Sequence, residues 1–183
     1  MTPALGDSER PVLKLTRAKL EPLRDALRAR GQRPSVVLSG PATSAELIDA
    51  LHLVEEWGAF VEAMYLMMAA DRRVKNVERE VLRGALLLLS DERVRTRHME
   101  AMLDAASRRV SNEGQEKRTA AVIASLADNP ARAESALLVA AAVAAADDRV
   151  VPEEHALLLE FARGFGIAES RVDELLADLK TKS

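Results

Sequence analysis

The stretch Ala69-Ala70-Asp71-Arg72-Arg73-Val74-Lys75-Asn76-Val77-Glu78 is used twice in this chain of 183 residues. It returns 76 positions later as Ala145-Ala146-Asp147-Asp148-Arg149-Val150-Val151-Pro152-Glu153-Glu154. Over Ala69–Leu82 and Ala145–Leu158, seven of fourteen positions are identical. Each copy lies where one apolar segment of helical spacing ends and another begins. We call residues 69–78 the first elbow and residues 145–154 the second elbow, and the repetition predicts two similar halves of a helical bundle.

The composition around the elbows favours helix over sheet. Apolar residues make up 48% of the chain, aromatic residues 3%, and only 8 Gly and 7 Pro interrupt it. Such a chain is able to bury one sizeable core, and no segment shows the sustained alternation of a strand. The apolar segments number seven to nine and their connections are short. We therefore predict an all-α, single-domain helical bundle of seven to nine helices with an internal two-fold repeat.

Several helices have recognisable boundaries or faces. A helix is expected from Asn76 to Leu89, with Val77 facing inward, and Asn129-Pro130 is a strong start signal for another. The second of these is apolar on all sides from Ala136 to Ala146, which is typical of a central helix. Gly58 is a possible break in the helix before the first elbow. The inward stripe of that helix is predicted to contain Leu47, Leu51, Val54, Val61 and Met68.

The chain divides by charge near residue 43. Residues 1–43 carry eight Lys or Arg and four Asp or Glu, a charge of +4, which leaves −7 for residues 44–183. We predict an N-terminal extension of loop plus short helix over residues 1–43, with apolar residues Leu13, Leu20, Leu23 and Leu27. This basic arm either binds an anionic partner or folds back on the acidic body. It has no aromatic residue to stack on a base, so nucleic acid is not expected and another protein is the expected partner.

Several classes of protein are excluded by what the sequence lacks. The chain has no cysteine, no export signal and no apolar run long enough to span a membrane, which indicates a cytoplasmic protein. No nucleophile, dinucleotide or phosphate-loop motif is present, so we do not expect an enzyme. The arginines of residues 93–109 alternate with acidic residues, a pattern typical of a solvated face.

A helix ending in Ala-Ala-Asp, a tight turn, and a Glu seven residues after the Asp, present twice, resembles the TerB-like domain of bacterial tellurite-resistance proteins. The resemblance covers about residues 46–180. It implies a non-enzymatic, all-helical stress-response protein, with a divalent cation at the acidic positions. The family usually has Gly directly after the Asp, where this chain has Arg72 and Asp148. Arg tolerates a left-handed backbone less well than Asp, so a distorted first turn is predicted.

Two interpretations of the elbow carboxylates remain open. The residues concerned are Asp71, Glu78, Asp147 and Glu154. In the structural interpretation each Asp accepts backbone N–H groups across the turn, Arg73 or Arg149 supplies the counter-charge, and each Glu caps the following helix. The residue types alone favour this interpretation, because helix-end carboxylates are normally caps.

In the second interpretation the same four carboxylates converge as hard oxygen ligands for Ca²⁺, Mg²⁺ or Mn²⁺. An EF-hand is excluded, because Arg73 and Lys75 occupy its ligand positions and the spacing from Asp to Glu is too short. His155 stands beside Glu154, but a single His without a second at helical spacing is more typical of a partly exposed helix residue than of a zinc ligand.

Overall fold

The computed structural model describes residues 44–180, with side chains from residue 48 onward. This part of the chain contains seven α-helices and no β-strand, which confirms the all-α prediction and its helix count. The helices are α1 (Ser44–Ala69), α2 (Asn76–Leu89), α3 (Thr96–Glu113), α4 (Gln115–Ala127), α5 (Pro130–Ala144), α6 (Pro152–Gly164) and α7 (Ser170–Lys180). None of these seven is long and apolar enough to cross a membrane. The predicted extension, residues 1–43, lies outside the described residues, and the domain boundary at residue 44 stays a prediction.

Helix α5 is the centre of the bundle, as its sequence predicted. It begins at the expected signal, where the Asn129 side-chain oxygen accepts the backbone N–H of Arg132 at 3.2 Å and Pro130 takes the first helical position. It then packs against α1, α2, α4, α6 and α7. Most of its residues from Ala133 to Ala144 are buried, so almost every side of this helix contributes to the core.

Helix α1 is the longest helix and passes through Gly58 without a break. Its second half, from Phe60 to Met68, is buried almost throughout, because α3, α4 and α5 pack around it. The predicted inward stripe is wrong in its first half. Leu51 and Val54 are exposed, whereas Leu53 is buried. Apolar residues lie on nearly all sides of α1, so their spacing alone does not identify the side that faces the core.

A buried carboxylate on α1 forms hydrogen bonds with two other helices. Glu62 of α1 is 2% exposed. It accepts hydrogen bonds from Arg109 Nε of α3 at 2.9 Å and from Arg118 Nε of α4 at 2.7 Å. A buried carboxylate needs such partners, because desolvating an unpaired charge is costly. Arg109 itself keeps a side chain that is 36% exposed, so it lies at the solvated face that was predicted and also reaches the buried carboxylate.

Candidate functional site

The first elbow begins where α1 ends. The backbone N–H of Arg72 donates to Ala69 O at 2.9 Å, and Arg72 has a φ of 63°, in the left-handed region. The carboxylate of Asp71 closes the turn, since its Oδ1 accepts the backbone N–H of Arg73 at 2.9 Å. Asp71 thus pairs the N–H group of Arg73, a turn residue that lies beyond the end of α1.

Glu78 fixes the start of the next helix. It is the third residue of α2 and is 2% exposed, and its Oε2 accepts the backbone N–H of Lys75 at 3.1 Å. This is half of a capping box, in which the carboxylate at the third helical position reaches back to the residue before the helix. The reciprocal half requires an acceptor oxygen on the side chain of residue 75, which lysine does not have.

The second elbow repeats this arrangement. Asp148 also has a φ of 63°, and its N–H donates to Ala145 O at 3.1 Å. Asp147 Oδ1 accepts the N–H of Arg149 at 3.2 Å, and the buried Glu154 accepts the N–H of Val151 at 3.0 Å. The predicted distortion of the first turn is therefore wrong: both turns have the same backbone conformation despite the different residue after the Asp. The two-fold relation of the complete halves stays a prediction.

One lysine connects the two elbows. Lys75 Nζ lies 2.7 Å from Asp147 Oδ2, 3.4 Å from Asp71 Oδ2 and 3.4 Å from Glu78 Oε1. Each of these three carboxylates therefore binds a backbone N–H with one oxygen and faces the lysine ammonium with the other. Glu154 makes no hydrogen bond or ion pair with Lys75; its pKa is raised mainly by burial, and the charges of Lys75, Glu78 and Asp71 also act on it. The structure thus brings three of the four predicted carboxylates onto one ammonium, with Glu154 nearby.

The counter-charge in this cluster differs from the prediction. The arginines named for that role, Arg73 and Arg149, contribute backbone N–H groups to the two Asp side chains, while the cation among the carboxylates is Lys75. The sequence could have indicated the ion pairs within the first elbow, because Lys75 lies four residues after Asp71 and three before Glu78. Its contact with Asp147 spans 72 residues and depends on the tertiary fold.

The protonation equilibria reflect this arrangement. The hydrogen bond from Lys75 holds the pKa of the Asp147 carboxyl group below its usual range. The same bond raises the pKa of the Lys75 ammonium above the usual range of a lysine. Burial has the opposite consequence for the two glutamates: it raises the pKa of Glu78 and of Glu154, because the charged form loses hydration. The ammonium of Lys75 thus favours the charged form of Asp147, while burial favours the neutral form of the two glutamates.

The space between the carboxylates of Asp71, Glu78 and Asp147 is occupied by the ammonium group of Lys75. Across the side chains described, residues 48–180, no three carboxylate or imidazole groups are placed so that they hold a metal ion. The distances from the lysine nitrogen also exceed the 2.0–2.6 Å typical of Mg²⁺ and Ca²⁺ ligands. The four side chains thus have the donor chemistry of a hard-cation site, but their present geometry suits an ammonium.

His155 belongs to a different feature. Its Nε2 lies 3.1 Å from Asp173 Oδ1, and its side chain is partly exposed, as expected for a helix residue. With Val151 and Lys180 it lines an open cleft of about 560 Å³ between α6 and α7. The second elbow therefore contributes the carboxylate of Asp147 to the cluster, and Val150, Val151 and Pro152 to the lining of this cleft.

The family model for "Tellurite resistance protein TerB" matches residues 58–177, about two thirds of the chain and both elbows. The chain belongs to the TerB family. No curated protein and no solved structure matches it. The TerB match confirms the resemblance inferred from the duplicated Ala-Ala-Asp segments, and it places the lysine-centred cluster inside the region that defines the family.

Proposed function

We propose that this TerB-family protein is a non-enzymatic, cytoplasmic stress-response protein, associated with tellurite resistance, that exchanges the ammonium of Lys75 for a divalent cation. The proposed ligands are Asp71, Glu78, Asp147 and Glu154. The observation that carries the proposal is the convergence of carboxylate oxygens from both elbows on a single cationic atom, at 2.7–3.4 Å. A position that attracts one cation strongly is electrostatically suited to another of higher charge.

The arrangement of the oxygens supports an exchange. The backbone hydrogen bonds of Asp71, Glu78 and Asp147 fix one oxygen of each carboxylate, which orients the other towards the common centre. Hard oxygen ligands of this kind suit Ca²⁺, Mg²⁺ or Mn²⁺. The Lys75 side chain is 30% exposed, and its flexible stem allows the ammonium to move towards solvent. The carboxylates then have to approach the ion more closely than they approach the lysine.

The test is a thermal melt of the protein in EDTA and in millimolar Ca²⁺, Mg²⁺ or Mn²⁺. An ion that binds the folded form alone raises the midpoint. We expect a rise in the wild type, a larger rise in Lys75→Met, and none in the double variant Asp71→Asn/Asp147→Asn. Lys117→Met is the matched control, because Lys117 is 71% exposed and pairs with Glu113 rather than with an elbow.

An absence of any metal-dependent shift in both the wild type and Lys75→Met contradicts the proposal. That outcome favours the alternative, a protein–protein interaction module in which the elbow carboxylates are purely structural caps. An equal shift in the double Asn variant also contradicts it, since the ion then binds elsewhere. The Lys75→Met variant is important because it removes the competing ammonium and keeps all four carboxylates.

A further inference from the structure

The first three turns of α1 have an apolar face that no described residue covers. Ile48, Leu51 and Val54 are 53%, 56% and 48% exposed. Their spacing of three residues places them along one side of the helix, and Leu53 and Phe60 are buried on the other side. We call Ile48, Leu51 and Val54 the apolar strip. Single exposed apolar residues are common on protein surfaces, whereas three along one side of a helix make a continuous apolar surface.

The same side of α1 is covered further along the helix. Glu62 and Leu66 lie eight and twelve residues after Val54, which places them on the same side of the helix, and both are buried. Arg109 of α3 and Arg118 of α4 reach Glu62 there. Between the covered and uncovered parts lies Gly58, where an added Cβ meets nothing within 4 Å except Val54 of the same helix. On this side of α1, the described neighbours therefore cover Glu62 and Leu66 and leave the strip exposed.

We propose that residues 20–27 of the N-terminal extension cover the strip, with Leu20, Leu23 and Leu27 packed against it. These leucines have the spacing of one helical face, and the extension joins α1 directly, at the end of the helix that has the strip. Residues 28–43 reach roughly 50 Å when extended, whereas Ile48 to Val54 spans about 9 Å of helix. The connection is therefore long enough for the segment to turn back along α1.

Charge favours this occupant over a second acidic body. Residues 1–43 have a charge of +4 and residues 44–183 a charge of −7. Asp49 and Glu55, next to the strip on α1, are exposed carboxylates. Two copies of the body brought together at this surface repel each other, while the basic extension is attracted to it. The extension also reaches the strip without the entropic cost of bringing two molecules together.

The first experiment compares two leucines that are exposed to a similar degree in the described part of the chain. Leu51 is 56% exposed and Leu88, on α2, is 49% exposed. In urea denaturation of the full 183-residue chain, we expect Leu51→Ser to raise the unfolding equilibrium constant about tenfold, because it removes a covered leucine. Leu88→Ser is expected to change it less than threefold. Equal effects of the two substitutions overturn the proposal.

A double-mutant cycle then identifies the occupant. If Leu23 packs on Leu51, the combined effect of Leu23→Ser and Leu51→Ser is smaller than the sum of the two separate effects. Additive effects overturn the proposal. An effect of Leu51→Ser that depends on protein concentration, with none from Leu23→Ser, also overturns it and assigns the strip to a second copy of the chain.

A structural measurement completes the test. The chain has no cysteine, so a nitroxide attached through His52→Cys labels the exposed side of α1 at one position. We expect paramagnetic broadening of the amide signals of residues 20–27, and no such broadening from a nitroxide attached through Leu88→Cys. Broadening confined to α1 and its described neighbours contradicts the proposal even if Leu51→Ser is destabilising.

Discussion

The first and second elbows hold their carboxylates with the same hydrogen bonds, but the residue before the following helix is Lys75 in one and Val151 in the other. Lys75 supplies the ammonium that both elbows share, and Val151 lines the cleft beside α7. The duplicated residues thus determine the backbone of the turns, and one of the positions that differ determines the electrostatics. Two similar turns therefore make unequal contributions to one cluster.

Alanine substitution at the two positions that differ is expected to give the largest contrast. Lys75→Ala removes a charge-assisted hydrogen bond and leaves four carboxylates without their cation, so we expect a loss of about 2 kcal/mol in the free energy of unfolding. Val151→Ala removes two methyl groups from a half-buried position, with an expected loss of about 1 kcal/mol or less. Urea denaturation at pH 7 measures both, and equal losses contradict the assigned role of Lys75.

The pH dependence of stability sharpens the comparison between the two glutamates. Burial raises the folded-state pKa of both Glu78 and Glu154, so the folded state binds more protons than the unfolded state between the unfolded and folded values. Their contribution to stability therefore decreases as the pH rises from about 4.5 through the raised values. Asp147 acts in the opposite direction at lower pH, because its depressed pKa gives stability that is lost as the pH falls below about 3.8.

Urea midpoints from pH 4.5 to 7 test this expectation. The decrease of the urea midpoint with rising pH should become flatter in the double variant Glu78→Gln/Glu154→Gln, in which neither side chain titrates. It should become steeper in Lys75→Ala, because Lys75 partly opposes the rise in the pKa of both glutamates. Adding Glu78→Gln to Lys75→Ala should reverse more of this increase in slope than adding Glu154→Gln. The reason is that Glu78 is in direct contact with Lys75. An unchanged slope in all these variants contradicts the assignment.

The left-handed residues should give the smallest difference between the elbows. Arg72 and Asp148 both have a φ of 63°, and that conformation costs a residue with a Cβ about 1–2 kcal/mol, less for Asp. Glycine relieves this cost but loses more entropy on folding. We expect Arg72→Gly to stabilise the protein by about 0.5–1 kcal/mol and Asp148→Gly by about 0–0.5 kcal/mol. Thermal melts of the two variants measure the difference. A greater stabilisation by Asp148→Gly than by Arg72→Gly contradicts the expectation.

Much of the fold could be predicted from the sequence because its signals are local. The bounds Asn76–Leu89 and the start of α5 at Asn129-Pro130 follow from caps and turn residues that act within a few positions. The two elbows were visible because the same residues return 76 positions later. Val77 was wrongly placed inside, and it is 41% exposed. The spacing of residues identifies a helical face, but not whether a neighbouring helix covers it.

The amino-acid sequence by itself determined the helices, the two turns and the carboxylates that close them, since each depends on hydrogen bonds between residues close along the chain. The tertiary structure alone decided that Lys75 bridges to Asp147 and that Arg109 and Arg118 enclose Glu62, over separations of 72, 47 and 56 residues. The physical reason is that desolvation and ion pairing depend on distance in space, which packing sets and local sequence does not record.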